Sequence, residues 1–434
     1  MKLNGRIHTL DALRGAALLG ILLMNIAWFG LPEKTVEDLR IRGEFSGLNF
    51  ISWWVVEVFF HGSMRGMFSM LFGASAVLIL EKYAARTNAG AAAEYYFRRL
   101  LALFLFGLFN AYILLWVGDI LYTYALAGMF IFPLYRLEPK KLLLVAGIVM
   151  VLFSLNMTWQ HRQPIRLKEA ADVALAAGTG ASEQQKADIE AWKSFELKQS
   201  LAHKRTEAEG QIACTLGDFT SIFFYSASIT YFLETEFTYD FFFPDAFSFM
   251  LIGMALFRLG VLSGSKSRRF YLLLSLAGFA LGLPIYYHAA SVKLESQFHP
   301  FLMAQQQVVN LEQFGRLGLT LGYIGLLNLM FKLPLVSRLA DLLAPVGRMA
   351  FTNYLMQSIL CGLIFYGFGF GLFNQLERYQ LYLVVAGMWV FQIIFSHTWL
   401  RYWQAGPFEW FWRSAANWEW QKFESVRQKH VSAE

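Results

Sequence analysis

Ionisable and amide side chains lie along the first apolar segment of the chain, HTLDALRGAALLGILLMNI (residues 8–26). Asp11 precedes Arg14 by three residues, so the two side chains can pair on a helix. Asn25 follows Arg14 by eleven residues, about three helical turns, and therefore shares its face. This polar stripe could bind an anionic ligand, or the acid and the guanidinium could form a structural clasp.

A second polar stripe runs through FFHGSMRGMFSMLFGAS (residues 59–75), where His61, Arg65, Ser69 and Gly73 recur every four residues. A histidine can exchange a proton near neutral pH, so His61 is a candidate general base. The alternative is that His61 lies at the membrane interface and takes no part in catalysis. Arg65 is a candidate for binding an anionic substrate group, unless its guanidinium extends to the lipid headgroups.

Two amides share one helix face in GRMAFTNYLMQS (residues 347–358), because Asn353 and Gln357 lie four residues apart. They are candidate substrate-binding groups, and hydrogen bonding to a neighbouring helix is the alternative. Asp119 lies between two apolar segments. We expect its carboxylate near the outer surface, in contact with solvent.

The composition indicates an integral membrane protein. Hydrophobic residues make up 56% and charged residues 16% of the chain, against about 45–50% and about 25% in soluble domains. The net charge of +6 comes from short basic clusters between long apolar runs, a membrane pattern that argues against a nucleic-acid partner. The two cysteines have no zinc-ligand spacing, and no phosphate-binding or serine-hydrolase motif occurs, so we expect no metal.

The predicted fold is an all-α integral membrane protein with about ten transmembrane helices. A spanning helix needs about 20 mostly apolar residues. Segments that meet this length are 12–31, 65–82, 99–117, 119–136, 141–157, 245–262, 270–289, 315–332, 348–366 and 379–397. Two shorter aromatic stretches, residues 48–60 and 217–233, suit helices that lie at the membrane interface or re-enter the bundle.

The distribution of lysine and arginine predicts that both termini are cytoplasmic. With that orientation, the short outer loops hold only Lys34, Arg40, Arg42, Lys293 and Arg378, and most other basic residues face the cytoplasm. The long segment between spans five and six is left out of this comparison, because long loops translocate largely regardless of their charge.

Polar and apolar segments divide the chain into four parts. Residues 166–210 are rich in Ala, Glu, Lys and Gln and predict a helical hairpin outside the membrane. The predicted parts are an N-terminal transmembrane bundle (1–157), an extracytoplasmic helical insertion (158–216), a C-terminal transmembrane bundle (217–400) and a cytoplasmic aromatic and basic tail (401–434). A short echo, MLFG at 70–73 and MLIG at 250–253, is attributed to chance.

Three motifs in order carry a family resemblance: LDALRGAALLGILLMNI, MFSMLFGA, and GRMAFTNYLMQS followed by FYGFGFGLF. Through them the sequence resembles the bacterial YeiB-type membrane proteins, whose C-terminal half is a domain of unknown function (DUF418). That family is grouped with transmembrane acyltransferases similar to heparan-α-glucosaminide N-acetyltransferase. Asp11, Arg14 and Asn25 match the first-helix motif of the family. His61 falls roughly where the acetyltransferases carry a catalytic histidine.

The resemblance implies an acyltransferase of the bacterial inner membrane. It would take acetyl-CoA or another acyl-CoA from the cytoplasm and acylate an extracytoplasmic sugar or lipid-linked acceptor. The expected roles are catalysis for His61 and Asp11, and donor binding for Arg14 and Asn25. Arg65, Asn353 and Gln357 are the expected acceptor-binding residues. The expected partners are the lipid bilayer, the acceptor and a second copy of the chain.

Two other function classes remain open. The first is a multi-pass transporter, in which the same polar stripes would line a path for an anionic or amphipathic solute. The second is a non-catalytic membrane scaffold. A transferase should consume a thioester, a transporter should move its substrate unchanged, and a scaffold should tolerate loss of His61.

Overall fold

Helices account for the regular structure of the chain, as the computed structural model shows for residues 7–334 and 336–421. No β-strand occurs within these ranges. The helices are α1 (His8–Gly30), α2 (Glu33–Glu37), α3 (Gly47–Val55), α4 (Ser63–Ala84), α5 (Ala89–Leu108), α6 (Leu121–Ile131), α7 (Pro139–His161), α8 (Gln163–Ala176), α9 (Glu183–Gln199), α10 (Leu201–Thr215), α11 (Phe219–Phe232), α12 (Phe243–Arg258), α13 (Arg268–Glu295), α14 (Pro300–Gln306), α15 (Glu312–Lys332), α16 (Arg338–Arg348), α17 (Ala350–Phe365), α18 (Arg378–Tyr402) and α19 (Pro407–Asn417).

The protein is an all-α membrane protein, as predicted. Two shorter apolar helices, Leu121–Leu134 and Ala350–Phe365, correspond to the predicted fourth and ninth spans. Eight further stretches of the described residues are long and apolar enough to cross a membrane: His8–Gly30, Gly47–Ala84, Ala89–Ile113, Pro139–Ala176, Phe219–Arg258, Arg268–Glu295, Glu312–Lys332 and Arg378–Tyr402.

The two aromatic stretches that were expected at the interface continue into spanning helices. Residues 48–60 include α3 and a π-helical segment, Val56–Phe60, that leads towards α4. Most of residues 217–233 form α11, which joins α12 through the π-helical segment Leu233–Phe242. Both π-helical segments change the helical register next to residues of the candidate site described below, as π-bulges often do at functional sites.

Paired glycines bring the spanning helices into close contact. Gly73 of α4 lies against the backbone of Met250, and Gly253 of α12 lies against the backbone of Met70. A Cβ at either glycine would overlap with the main chain of the other helix. The MLFG and MLIG segments therefore pack reciprocally against each other.

A second glycine contact joins α13 and α15. Gly278 faces the backbone of Gly322, while Gly282 and Gly318 face each other one turn further along. This small-residue spacing allows backbone contact in a bilayer, where association depends on van der Waals packing because lipid tails are as apolar as side chains.

The polar insertion packs on the end of the bundle that carries His61. It comprises α8, α9 and α10, and no side chain of α9 is buried. Lys204 of α10 donates to Asp38 at 3.0 Å, and this lysine shares a surface pocket with Lys293 of α13. At the other end of the chain, the predicted tail begins with α19, whereas residues 422–434 of that tail lie outside the described residues.

Candidate functional site

A cavity of about 310 Å³ opens between α1, α4, α5, α6, α16, α17 and α19. Most of its wall is apolar, with side chains such as Phe72, Leu100 and Phe351. Four basic side chains line the cavity, and we call them together the arginine wall: Arg14, Arg99, Arg348 and Arg413. A largely apolar space with a concentrated positive charge fits a ligand that has an anionic end and an uncharged end.

The cavity continues into a wider, more polar vestibule of about 850 Å³, and Arg99 and Arg413 line both spaces. Lys82 and Arg86 add two further cations to the vestibule. Trp403 and Trp410 supply aromatic surface there. Phosphate groups prefer guanidinium partners because the fork of N–H donors matches their oxygen atoms.

Arg14 is held at the cavity by two hydrogen bonds. It donates to Asp11 Oδ1 at 2.7 Å and to Ser75 Oγ at 3.0 Å. The pairing of Asp11 with Arg14 that the sequence spacing predicts is therefore confirmed. Asp11 itself is buried and does not line the cavity. Its position is that of a residue that orients Arg14 rather than one that contacts a ligand.

Helix α19 closes one side of the cavity through a buried carboxylate. Glu409 accepts hydrogen bonds from the backbone N–H groups of Phe351 and Thr352, at 2.8 and 3.1 Å, and from Thr352 Oγ1. These contacts give a hydrogen-bond acceptor to backbone N–H groups in the first turn of α17, which have no partner within the helix. Burial raises the pKa of the Glu409 carboxyl, and the hydrogen bonds from Thr352 oppose that shift.

Trp412, also on α19, lies over the guanidinium of Arg99, with 3.9 Å between the Arg99 Cζ and the ring centre. The indole N–H of Trp412 donates to the backbone oxygen of Arg99 at 2.9 Å. A cation–π contact of this kind restricts the motion of the Arg99 side chain and leaves the N–H donors of its guanidinium in one plane. Helix α19 therefore contributes Glu409, Trp412 and Arg413 to the cavity wall.

Two tyrosines line the cavity and have buried polar partners. The hydroxyl of Tyr124 lies 2.5 Å from Ser69 Oγ. The hydroxyl of Tyr354 donates to Asp119 Oδ1 at 3.3 Å. Asp119 is buried and also accepts from Asn110 at 2.8 Å, so the expectation that it is solvated is wrong. The reason is that residues 114–120 fold into the bundle, where Trp116 stacks on Phe29.

Near Tyr124 lies an ionic group that we call the arginine cluster: Arg65, Asp245 and Arg316. Asp245 and Arg316 are buried, whereas 23% of the Arg65 side chain is exposed. Arg65 Nη2 is 3.1 Å from Asp245 Oδ2, and Arg316 Nη1 is 2.5 Å from Asp245 Oδ1. Phe241 lies 5.5 Å from both guanidinium centres, measured from its ring centre. Three helices, α4, α12 and α15, supply the three charges.

His61 lies next to the arginine cluster, in the turn between Val56–Phe60 and α4. Its Nδ1 is 3.2 Å from Glu57 Oε2, and Lys293 forms an ion pair with the other oxygen of Glu57. Gly62 adopts a positive φ of 64°, and a Cβ there would overlap with the Arg316 side chain. Glycine thus permits both the turn at His61 and the close approach of Arg316.

Of the seven predicted site residues, all within the described ranges, Arg14 alone lines the cavity. Asn353 donates to Ser396 Oγ at 2.9 Å, and Gln357 contacts Gln392 at 3.3 Å, so both join α17 to α18. This is the interhelical role that was the alternative for these amides. Asn25 is partly buried but does not line the cavity, although it shares a helix with Arg14.

Three predicted residues lie at or near the cavity and the arginine cluster. Arg14 lies at the cavity, Arg65 in the arginine cluster, and His61 next to that cluster. Sequence reasoning missed Glu57, Asp245 and the other arginines of the arginine wall. A signal existed for Glu57, which precedes His61 by one helical turn, and for Arg316, an arginine within an apolar span. Within the described residues, no group of acidic, histidine and cysteine side chains could hold a metal ion.

Comparison with known proteins gives relatives along almost the whole chain. The family described as "Protein of unknown function (DUF418)" matches residues 256–419. The chain is 31% identical to "Uncharacterized protein YxaH" of Bacillus subtilis (strain 168), over 96% of each chain. It is 30% identical to "Uncharacterized protein YeiB" of Escherichia coli (strain K12), over 93% of this chain and 94% of the relative. No solved structure matches.

Proposed function

The chain belongs to the YeiB-type family of membrane proteins, and we propose that this member transfers an acyl group from a cytoplasmic acyl-CoA to an acceptor beyond the membrane. In this proposal the protein lies in the bacterial inner membrane with both termini in the cytoplasm. The acceptor is a sugar or a lipid-linked sugar on the opposite side. The arginine wall then faces the cytoplasm, as the distribution of lysine and arginine favours.

One observation carries the proposal: the mainly apolar cavity adjoins a cationic vestibule. Coenzyme A has a phosphate-rich nucleotide end and a long uncharged arm that ends in the thioester. The vestibule, with Lys82, Arg86 and two members of the arginine wall, offers partners for the phosphates. The apolar cavity offers space for the uncharged arm, so the thioester would lie near Tyr124 and Tyr354.

The proposed chemistry places a base at His61. The Glu57 carboxylate accepts from Nδ1–H of the imidazole, which fixes the tautomer and leaves Nε2 free to take the proton of an acceptor hydroxyl or amine. The acceptor oxygen or nitrogen bonds to the acyl carbon, the carbon–sulfur bond breaks, and the thiolate of coenzyme A leaves and takes up a proton. In a two-step variant, His61 carries the acyl group transiently.

Tyr124 lines both the cavity and the small void beside Arg65, so the proposal requires the thioester to pass Tyr124 before transfer. Arg65 is four residues from His61 along the chain and lines that void together with Ser69 and Tyr124. In this position its positive charge would stabilise the negative oxygen of the tetrahedral intermediate. Arg65 therefore has a role near the reacting group rather than in general substrate attraction.

Donor binding tests the proposal. Purified protein in lipid nanodiscs should bind acetyl-CoA in calorimetry, and Arg99→Gln combined with Arg413→Gln should weaken binding by about 10-fold or more, because hydrogen bonds to charged groups contribute roughly 1.5–3 kcal/mol. Arg269→Gln, at an exposed arginine away from the cavity, is the matched control and should bind as the wild type does. Equal affinity in all three proteins would contradict the proposal.

A transporter is the second candidate, and the arginine cluster favours it. Ionisable residues within a membrane often mark a substrate path, and these three come from apolar spanning helices. If labelled anionic solutes cross proteoliposomes that contain the protein, while acetyl-CoA neither binds nor is consumed, transport replaces acyl transfer. If His61→Ala alters neither transport nor transfer, the scaffold interpretation gains support.

A further inference from the structure

A pocket of about 440 Å³ lies where the polar insertion meets the bundle, and we call it the insertion pocket. Helices α9 and α10 supply one part of its wall, and α2, the end of α13 and α14 supply most of the rest. The volume lies within the range of roughly 300–1,000 Å³ that is usual for small-ligand sites. It is a separate space, because the cavity and the vestibule share none of its wall residues.

Carboxylates hold three of the four lysines in the wall of the insertion pocket. The ion pairs are Lys34 with Glu37 at 3.3 Å, Lys204 with Asp38 at 3.0 Å, and Lys293 with Glu57. These pairs fix the ammonium groups and neutralise much of their charge, so the wall does not favour a ligand that binds by negative charge alone. An ammonium has three N–H donors, and each lysine therefore keeps donors for a second partner.

The same wall also offers acceptors of hydrogen bonds. Glu37 and Glu207 contribute carboxylate oxygens, and Gln199 contributes an amide that both donates and accepts. Hydroxyl groups match such a surface, because each hydroxyl donates one hydrogen bond and accepts others. A ligand with several anionic groups would be repelled by the two carboxylates. The wall therefore favours a ligand that carries several hydroxyls.

The apolar part of the wall is held by an unusual backbone. Gln297 and Phe298 have φ angles of 48° and 56°, a left-handed conformation that residues other than glycine rarely adopt. The ring of Phe298 packs edge-on against Trp53, with 5.8 Å between the ring centres. Backbone strain of this kind persists only where neighbouring contacts impose it, and it clusters at ligand sites. Together with Pro300 and Met303, Phe298 gives the insertion pocket a fixed apolar patch.

One carboxylate connects the insertion pocket to His61. Glu57 pairs with Lys293 of the pocket wall through one oxygen, and its other oxygen lies 3.2 Å from His61 Nδ1. A ligand that contacts the Lys293 ammonium is therefore separated from the imidazole by a single side chain along this chain of contacts. The insertion pocket thus lies on the side of the bundle where the proposed base is oriented.

We propose that the insertion pocket binds a sugar ring. The sugar hydroxyls exchange hydrogen bonds with the lysines, the carboxylates and Gln199, and an apolar C–H face of the ring packs on Phe298 and Met303. The ring is the recognised chemistry, whether the sugar is free or attached to a lipid. The role of this sugar as the acyl acceptor rests on the proposed function, whereas its binding does not.

Sugar binding is measured in the absence of acyl-CoA. Saturation-transfer NMR with the protein in nanodiscs should show binding of at least one methyl hexoside or N-acetylhexosaminide at millimolar concentration, measured against empty nanodiscs. The octyl glycoside of the same sugar separates the two sources, because tighter binding of the octyl form indicates a lipid-linked sugar and equal binding indicates a free one. Binding of inorganic phosphate but of no sugar, or no binding at all, would overturn the proposal.

Two double variants locate the site. Gln199→Ala with Glu207→Ala removes an amide and a carboxylate from the wall and should weaken sugar binding by about 10-fold. Neither side chain is buried, so this variant should fold. Gln184→Ala with Glu190→Ala changes the same residue types at exposed positions of α9 outside the pocket and should bind as the wild type does. Equal affinity of the two double variants would refute the proposal.

A kinetic measurement separates this inference from the proposed function. In acyl transfer, Gln199→Ala with Glu207→Ala should raise the KM for the sugar by about 10-fold and leave the affinity for acetyl-CoA unchanged. Sugar binding without acyl transfer would contradict the proposed function and still support the sugar site. Acyl transfer with an unchanged KM in this variant would overturn the role of the insertion pocket as the acceptor site.

Discussion

Glu57 Oε2 lies 3.2 Å from His61 Nδ1, and Lys293 pairs with the other carboxylate oxygen. The carboxylate thus orients the imidazole from one side, as the acid does in other acid–histidine pairs. Because the turn at Gly62 separates His61 from α4, the ring is positioned by Glu57 and by Tyr286, whose ring centre is 5.1 Å away. This arrangement supports a proton-transfer role for His61.

His61→Ala should therefore fold and bind acetyl-CoA but lose most acyl transfer, since general-base assistance contributes roughly 10²–10⁴-fold. The assay is acetyl-CoA consumption in lipid with a panel of sugar and lipid-linked acceptors. Glu57→Gln should slow transfer less than His61→Ala, because the amide still contacts the ring. Transfer by His61→Ala at the wild-type rate would exclude the catalytic assignment.

The pair of Asp11 and Arg14 predicts a specific double-mutant result. Arg14→Ala removes the guanidinium partner of the buried Asp11 carboxylate, 2.7 Å away, and should destabilise the protein by about 1.5–3 kcal/mol. Asp11→Asn combined with Arg14→Gln removes both charges and should recover much of the loss. Thermal unfolding in detergent measures both. If the double variant is no more stable than Arg14→Ala, the two residues do not stabilise each other.

The contact between α4 and α12 predicts that Gly253 tolerates no side chain. Gly253→Ala places a methyl group against the backbone of Met70 and should lower stability by about 1–3 kcal/mol or more, the usual range for overpacking. Gly387→Ala on α18 is the matched control, because a methyl group added there would meet no neighbouring atom within 4 Å. The yield of folded protein and its melting temperature distinguish the two. Equal stability of both variants would contradict the packing explanation.

Cysteine labelling tests the proposed orientation. With Cys214 and Cys361 replaced by serine, a cysteine at Gly178 in the insertion should react with an impermeant thiol reagent in cells whose outer membrane has been made permeable. A cysteine at Gly90, near the start of α5, should react only after the inner membrane is disrupted. Both glycines are exposed, so burial does not limit labelling. The reverse pattern would place the arginine wall outside the cytoplasm.

The role of Glu409 predicts a local effect on the cavity. Glu409→Ala removes three hydrogen bonds from the start of α17 and should detach α19, so that the cavity opens and stability falls by about 1–3 kcal/mol. Glu409→Gln keeps an acceptor oxygen and should lose less. Hydrogen exchange of the amides of Phe351 and Thr352 reports the change directly. Unaltered protection of these amides in Glu409→Ala would show that the carboxylate does not hold the helix end.

Local spacing allowed the sequence alone to determine several features. The apolar segments predicted the all-α membrane fold, and the three-residue separation of Asp11 and Arg14 predicted their ion pair. The same reasoning could have identified Glu57, four residues before His61. Helical periodicity fixes which neighbours within one helix share a face, and this information requires no knowledge of other helices.

Contacts between helices were decided only by the tertiary structure. Arg65, Asp245 and Arg316 come from three helices far apart in the chain, and no spacing rule joins them. Asn353 had two compatible roles in the sequence, and the packing of α17 against α18 directed it to Ser396 rather than to the cavity. The physical reason is that apolar faces of spanning helices are chemically alike. Which faces meet therefore depends on steric fit, as at Gly73 and Gly253, across the whole bundle.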